Sequence, residues 1–109
     1  MDRLPRFSFQ AYGALLNEFR RSGYQLLPVS TLLDELQTPV VYLRHDIDFF
    51  PQPALEMGRI ESEAGGRATY YFLLSGPYNL FAAENRVVLH TLVKLGHEVG
   101  LHYDLKNYP

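Results

Sequence analysis

The spacing of hydrophobic positions changes at Val40. Before it, Phe9, Tyr12, Leu16 and Phe19 recur at helical intervals behind Ser8, a residue suited to capping. They predict an amphipathic helix over roughly residues 9 to 22, stopped at Gly23. Leu32, Leu33 and Leu36 predict a second, short helix after Ser30 or Thr31, with the leucines as its buried side and Pro39 ending it. From Val40 onward, short apolar runs alternate with helical ones. Val40 to Leu43 is β-branched and apolar, as in a buried parallel strand. Residues 53 to 64 predict a helix with Met57, Ile60 and Ala64 on one face, halted by Gly65-Gly66. Ala68 to Leu74 predicts a strand, and residues 83 to 95 a helix with Val88, Leu92 and Leu95 inward. Glu98 to His102 predicts the last strand.

Strands alternating with helices imply parallel pairing through crossovers, hence an α/β class with a β-α-β-α-β core. The 109 residues suffice for a single domain with a real core, and 47% of them are hydrophobic. The third predicted strand lies close to Pro109 with no helix after it, which is the expectation of a truncated or fragmentary unit. Such an open parallel edge is compatible with an oligomer.

The net charge is -2, with no basic patch of the kind that tracks nucleic acid. With no cysteine, disulfides and thiolate metal sites are excluded. No signal peptide or membrane span is read, so a cytoplasmic location is the default expectation.

Candidate chemistry falls where strands end. In parallel α/β sheets the carboxyl ends of strands open on one rim, where ligands bind. Asp46 and Asp48 follow the first strand, and His102 and Asp104 follow the last, so the four are expected to converge. If the first strand runs on, both aspartates project to one face, roughly 7 Å apart. Oxygen and imidazole ligands at one point suit a divalent metal. One carboxylate then binds it while the other stays available as a general base. Each position also has a plainer reading. The aspartates suit a polar loop that caps the helix near Pro53, and His102 suits a buried histidine bonded to backbone. Asp104 suits equally a third ligand, a partner orienting His102, or a surface turn. His97 and His45 have the opposite parity to His102 and the aspartates. His97 reads as structural, His45 as a packing residue or a support behind the site, and His90 as a helix surface residue. Tyr70, Tyr71 and Phe72 read as core; Tyr78, on a rim loop, is a candidate substrate contact.

Leu43-Arg44-His45-Asp46-Ile47-Asp48 together with Gly96-His97-Glu98-Val99-Gly100-Leu101-His102 resembles the polysaccharide deacetylase family (carbohydrate esterase family 4). Members carry an aspartate pair at a strand end and a Gly-His-Glu-Ile-Gly-x-His segment. Ala68-Thr69-Tyr70-Tyr71-Phe72-Leu73 looks like the strand between them, and the likeness covers roughly residues 40 to 104. It implies an irregular (β/α) barrel, of which this chain would be an N-terminal part. The implied activity is metal-dependent removal of acetyl groups from an N-acetylated carbohydrate, often with zinc. On that match Asp46 is the catalytic base, Asp48 the metal-binding aspartate and His102 the first metal-binding histidine. The family's second histidine falls four residues later, where this chain has Lys106, so either Asp104 substitutes as a ligand or the metal binds weakly or not at all. The family's later motifs would lie beyond Pro109.

Two other readings compete. Asp-x-Asp after a first strand also occurs in phosphotransferases of the haloacid dehalogenase type. There an apolar approach and a following Thr are usual, whereas Arg44-His45 and Phe50 stand here. The other is a non-catalytic carbohydrate-binding relative that keeps the fold without turnover.

Overall fold

The computed structural model describes residues 8–102. The described residues are mixed α/β, with parallel strands and three α-helices. Helix α1 (Phe9–Arg21) opens on Ser8, whose side chain accepts the Ala11 N–H at 3.0 Å, one of the donors a helix start leaves unpaired. Then come β1 (Gln25–Leu27), β2 (Val40–Tyr42), β3 (Arg44–Ile47), α2 (Pro53–Glu63), β4 (Thr69–Leu73), α3 (Ala83–Lys94) and β5 (Glu98–His102). Helices α2 and α3 end alike. Gly65 (φ 79°) and Gly96 (φ 95°) adopt the left-handed conformation. The next residue in each case returns its N–H to the third-last helical carbonyl: Gly66 to Glu61 at 2.8 Å and His97 to Leu92 at 3.0 Å. These turns set the entry of β4 and β5.

Two departures from the sequence reading have physical causes. The expected helix after Ser30 or Thr31 is a single 3-10 turn, Val29–Thr31, and Leu32, Leu33 and Leu36 are all exposed. The three leucines have helical spacing but no facing layer, so tertiary burial never rewards a helix there. Strand β1 was not expected. Its short run pairs in parallel with β2, Leu26 opposite Val41, and Leu26 is buried.

The strand predicted at Val40 divides at Leu43. Leu43 donates its N–H to Leu27 and accepts that of Thr69 on its own carbonyl, so β1 and then β4 lie along one edge of residues 40–47. The three-stranded sheet has order β3-β4-β5, all parallel, with Asp46 opposite Tyr71 and Tyr71 opposite Gly100. No closure into a barrel is seen among the described residues.

Alternation along the strands gives this sheet two unlike faces. Ile47, Tyr70 and Phe72 join Leu16, Ala54, Val88 and Leu92 of the helices in one core, and His45 points to the same side. Central β4 is buried most deeply, with Tyr70 at 0% and Phe72 at 1% exposure, each such side chain contributing about 1.5–3 kcal/mol. The other face carries Arg44, Asp46, Thr69, Tyr71, Gly100 and His102. At the β5 edge the helix-side layer is thin: Val99 and Leu101 are exposed beside an apolar cleft of about 220 Å³ that reaches Phe72 and Leu89.

Candidate active site

Strand β3 continues the run that begins at Val40, so Arg44 and Asp46 project from the sheet face opposite the helices, and Asp48 follows directly. Register places His102 at the level of Leu73, two positions beyond Gly100 and on the same face. Strands two apart in a sheet are separated by about 10 Å, yet the side chains lean together over β4. His102 Nδ1 lies 3.9 Å from Asp46 Oδ1, and His102 Nε2 lies 3.9 Å from Asp48 Oδ1. The ring is thus flanked by one carboxylate at each nitrogen. All three side chains are partly open to solvent.

Arg44 adds a cation. Its Nε donates to Asp46 Oδ1 at 3.2 Å, and its guanidinium lies over the Tyr71 ring, 4.5 Å from the centroid. Stacking on an aromatic face holds a guanidinium flat and in place. Gly100 makes room for that ring, since a Cβ there would meet Tyr71 Cδ1 and Cε1 at 3.0 Å. Arg44 and Tyr71 were not read as site residues. Their signal was available in the parity they share with Asp46 along β3 and across the register.

Of the expected site residues, Asp46, Asp48 and His102 come together. Asp104 lies outside the described residues. Tyr78 has a different role from the substrate contact considered for it. Its hydroxyl accepts the Leu73 N–H at 2.7 Å and donates to the Ile47 carbonyl at 2.5 Å, tying the ends of β3 and β4. Burial, foremost, raises its pKa. His90 is exposed on α3. His97 is buried: Nδ1 accepts the Ala68 N–H at 2.9 Å, which assigns the ring proton to Nε2, donating to the Gly58 carbonyl at 2.7 Å.

Behind the site, on the helix side, a buried carboxylate was missed altogether. Glu61 of α2 is 0% exposed. Its Oε2 accepts from His45 Nε2 and from the Tyr12 hydroxyl, each at 2.5 Å, and its Oε1 accepts from the Tyr70 hydroxyl. Burial alone would raise its pKa. The hydrogen bond and positive charge from His45, with the two tyrosine hydroxyls, more than offset that and hold the carboxyl below its ordinary range. The tyrosine pKa values move up, chiefly through burial and then through the carboxylate they face. The legible signal was position: Glu61 falls four residues after Met57 and three before Ala64, within the apolar face of α2.

Metal fit can be judged from the donors. In a tetrahedral site with bonds of about 2.1 Å, ligand atoms stand about 3.4 Å apart. Asp48 Oδ1 and His102 Nε2, at 3.9 Å, come within half an ångström of that spacing. Among the described residues no group of three or more His, Asp or Glu is gathered to hold an ion. Asp48 and His102 are thus two candidate donors, where catalytic zinc sites commonly use three.

The fold and rim thus define a parallel α/β chain with an acidic, histidine-bearing site at its strand ends. Comparison with protein-family models, curated proteins and solved structures finds no match to it. No described helix is long and apolar enough to cross a membrane.

Proposed function

We propose that this chain is part of a polysaccharide deacetylase-like (β/α) barrel that removes acetyl groups from an N-acetylated carbohydrate with the help of a divalent metal, zinc being the expected ion. The observation that carries this reading is the convergence of Asp46, Asp48 and His102 on one rim at 3.9 Å separations. The arrangement of faces supports the barrel: helices cover one side of the sheet, and the other presents charged side chains, as a barrel wall would present its site.

Asp48 and His102 are the residues that would hold the metal, with Asp104 as the third ligand expected from the sequence. A metal bound there supplies a Lewis acid for the amide carbonyl and makes water more acidic. Asp46 takes the proton from the attacking water. Arg44, paired to Asp46 and stacked on Tyr71, keeps that carboxylate aimed at the rim. Phe49 and Phe50, exposed directly after Asp48, offer apolar surface to a sugar ring.

A non-catalytic carbohydrate-binding relative is the second reading. It is favoured by one observation, that no group of three or more His, Asp or Glu is gathered to hold an ion among the described residues.

The test is acetate release from an N-acetylglucosamine oligomer, with zinc content measured in parallel. Asp48→Asn and His102→Ala should lower bound zinc. Asp46→Asn should keep zinc and cut turnover on the order of 100-fold, the scale of losing a general base. Carbohydrate binding with zinc absent and no acetate released would decide for the second reading.

A further inference from the structure

Strand β3 carries both the Arg44–Asp46 pair and the approach to Asp48, yet within its sheet it is an edge, bonded to β4 alone among the described residues. An edge strand has one ladder to fix its position. Directly behind Asp46, His45 points the other way into the helix layer and meets Glu61. Three donors from three elements converge on the two Glu61 oxygens: Tyr12 of α1, His45 of β3 and Tyr70 of β4. His45 also stacks on Tyr70, with ring centroids 4.6 Å apart, and stands edge-on to Tyr12 at 6.1 Å. No buried side-chain polar atom among the described residues lacks a partner.

An apolar residue at position 61 would avoid desolvating a charge but would leave the Tyr12, His45 and Tyr70 donors without their acceptor. What the carboxylate adds is direction. A hydrogen bond to a buried carboxylate admits one geometry, whereas an apolar contact can slide. We propose that Glu61 is a positioning residue for the rim: through His45 it locks β3 from the helix side and so sets Asp46 and Asp48 against His102. This rests on the deacetylase reading for its catalytic consequence, and on the geometry alone for its structural one.

Glu61→Gln keeps the shape and removes the charge. Amide hydrogen exchange, zinc affinity and acetate release are compared with the wild type at a temperature where far-UV circular dichroism shows both folded. The expected result is exchange about tenfold faster at residues 44–47 with residues 98–102 unchanged. Zinc affinity should fall 10- to 100-fold, the scale for supports behind a metal site. kcat should fall while KM for the oligomer holds. His45→Gln should reproduce all three effects, and Tyr12→Phe, which leaves the His45–Glu61 hydrogen bond in place, should show the smallest. These two variants carry the test if Glu61→Gln does not fold. Unchanged exchange at residues 44–47 in a folded Glu61→Gln or His45→Gln protein overturns the proposal. So does faster exchange spread evenly over all strands, which would mark Glu61 as a general core contact. A wild-type protein that neither binds zinc nor releases acetate would end the deacetylase reading, while the exchange result would still judge the positioning role.

Discussion

The Tyr78 hydroxyl donates a 2.5 Å hydrogen bond to the carbonyl of Ile47, the residue between the two rim aspartates. The same oxygen accepts the Leu73 N–H, so one side chain closes the gap where β3 and β4 part. Together with the Glu61–His45 contact on the helix side, β3 is held at its middle and at its end.

Tyr78→Phe removes that bridge and leaves a backbone donor and acceptor without it. Each group left unsatisfied away from water costs about 1–3 kcal/mol, less where solvent can reach it. With Tyr78 only half-buried, a loss of about 1–2 kcal/mol in denaturant unfolding is expected, together with faster exchange of the Leu73 amide. A stability equal to the wild type would show that water replaces the hydroxyl fully.

Acid stability should depend on Glu61. Its pKa is lower folded than unfolded, where the ordinary value is 4.5. Below that value the unfolded state binds the proton more readily, so the contribution is present above about pH 4.5 and is lost as pH falls toward the folded value. Urea midpoints measured from pH 6 downward should decline for the wild type through this window. For Glu61→Gln they should begin lower and fall less steeply. Parallel curves would show that other carboxylates carry the acid limb.

Two glycines should respond differently to alanine. At Gly58 a Cβ would meet Leu92 Cδ2 at 2.6 Å and the His97 ring at 3.3 Å, inside the packed α2–α3 contact. Overpacking of about 1–3 kcal/mol competes with about 1 kcal/mol of helix preference, so Gly58→Ala should be net destabilising. At Gly100 the 3.0 Å contact is with the Tyr71 ring, which is only half-buried and can yield by a few tenths of an ångström. Gly100→Ala should leave stability within about 1 kcal/mol, because alanine also relieves the cost of glycine in a strand. Its effect should appear instead in the ring signals of Tyr71 and the guanidinium signals of Arg44. Equal losses of stability in the two variants would contradict this account.

Local physics made much of the chain legible. Ser8 and the glycines after α2 and α3 mark helix ends through backbone geometry that neighbours alone determine. Period-two alternation told that Asp46 and His102 share a face and that His45 and His97 do not, because successive side chains in a strand must point to opposite sides. The spacing of Leu32, Leu33 and Leu36 misled for the same reason it seemed informative: helical periodicity states which side could be buried, not whether anything stands there to bury it.

The Glu61 network and the Arg44–Tyr71 stack required the tertiary structure. The sequence places Glu61 within the apolar face of α2 but says nothing of what it meets there. Only the packing of α1 and α2 on the sheet brings Tyr12, His45 and Tyr70 to its two oxygens and makes a buried charge tolerable. The sequence by itself determined α1, the β3-α2-β4-α3-β5 order and the faces on which the rim residues lie, since those follow from dihedral preference and periodicity. Which side chains meet, at what distance, and how β3 is held was decided by tertiary structure alone, because burial and hydrogen-bond partners come from residues far apart in the chain.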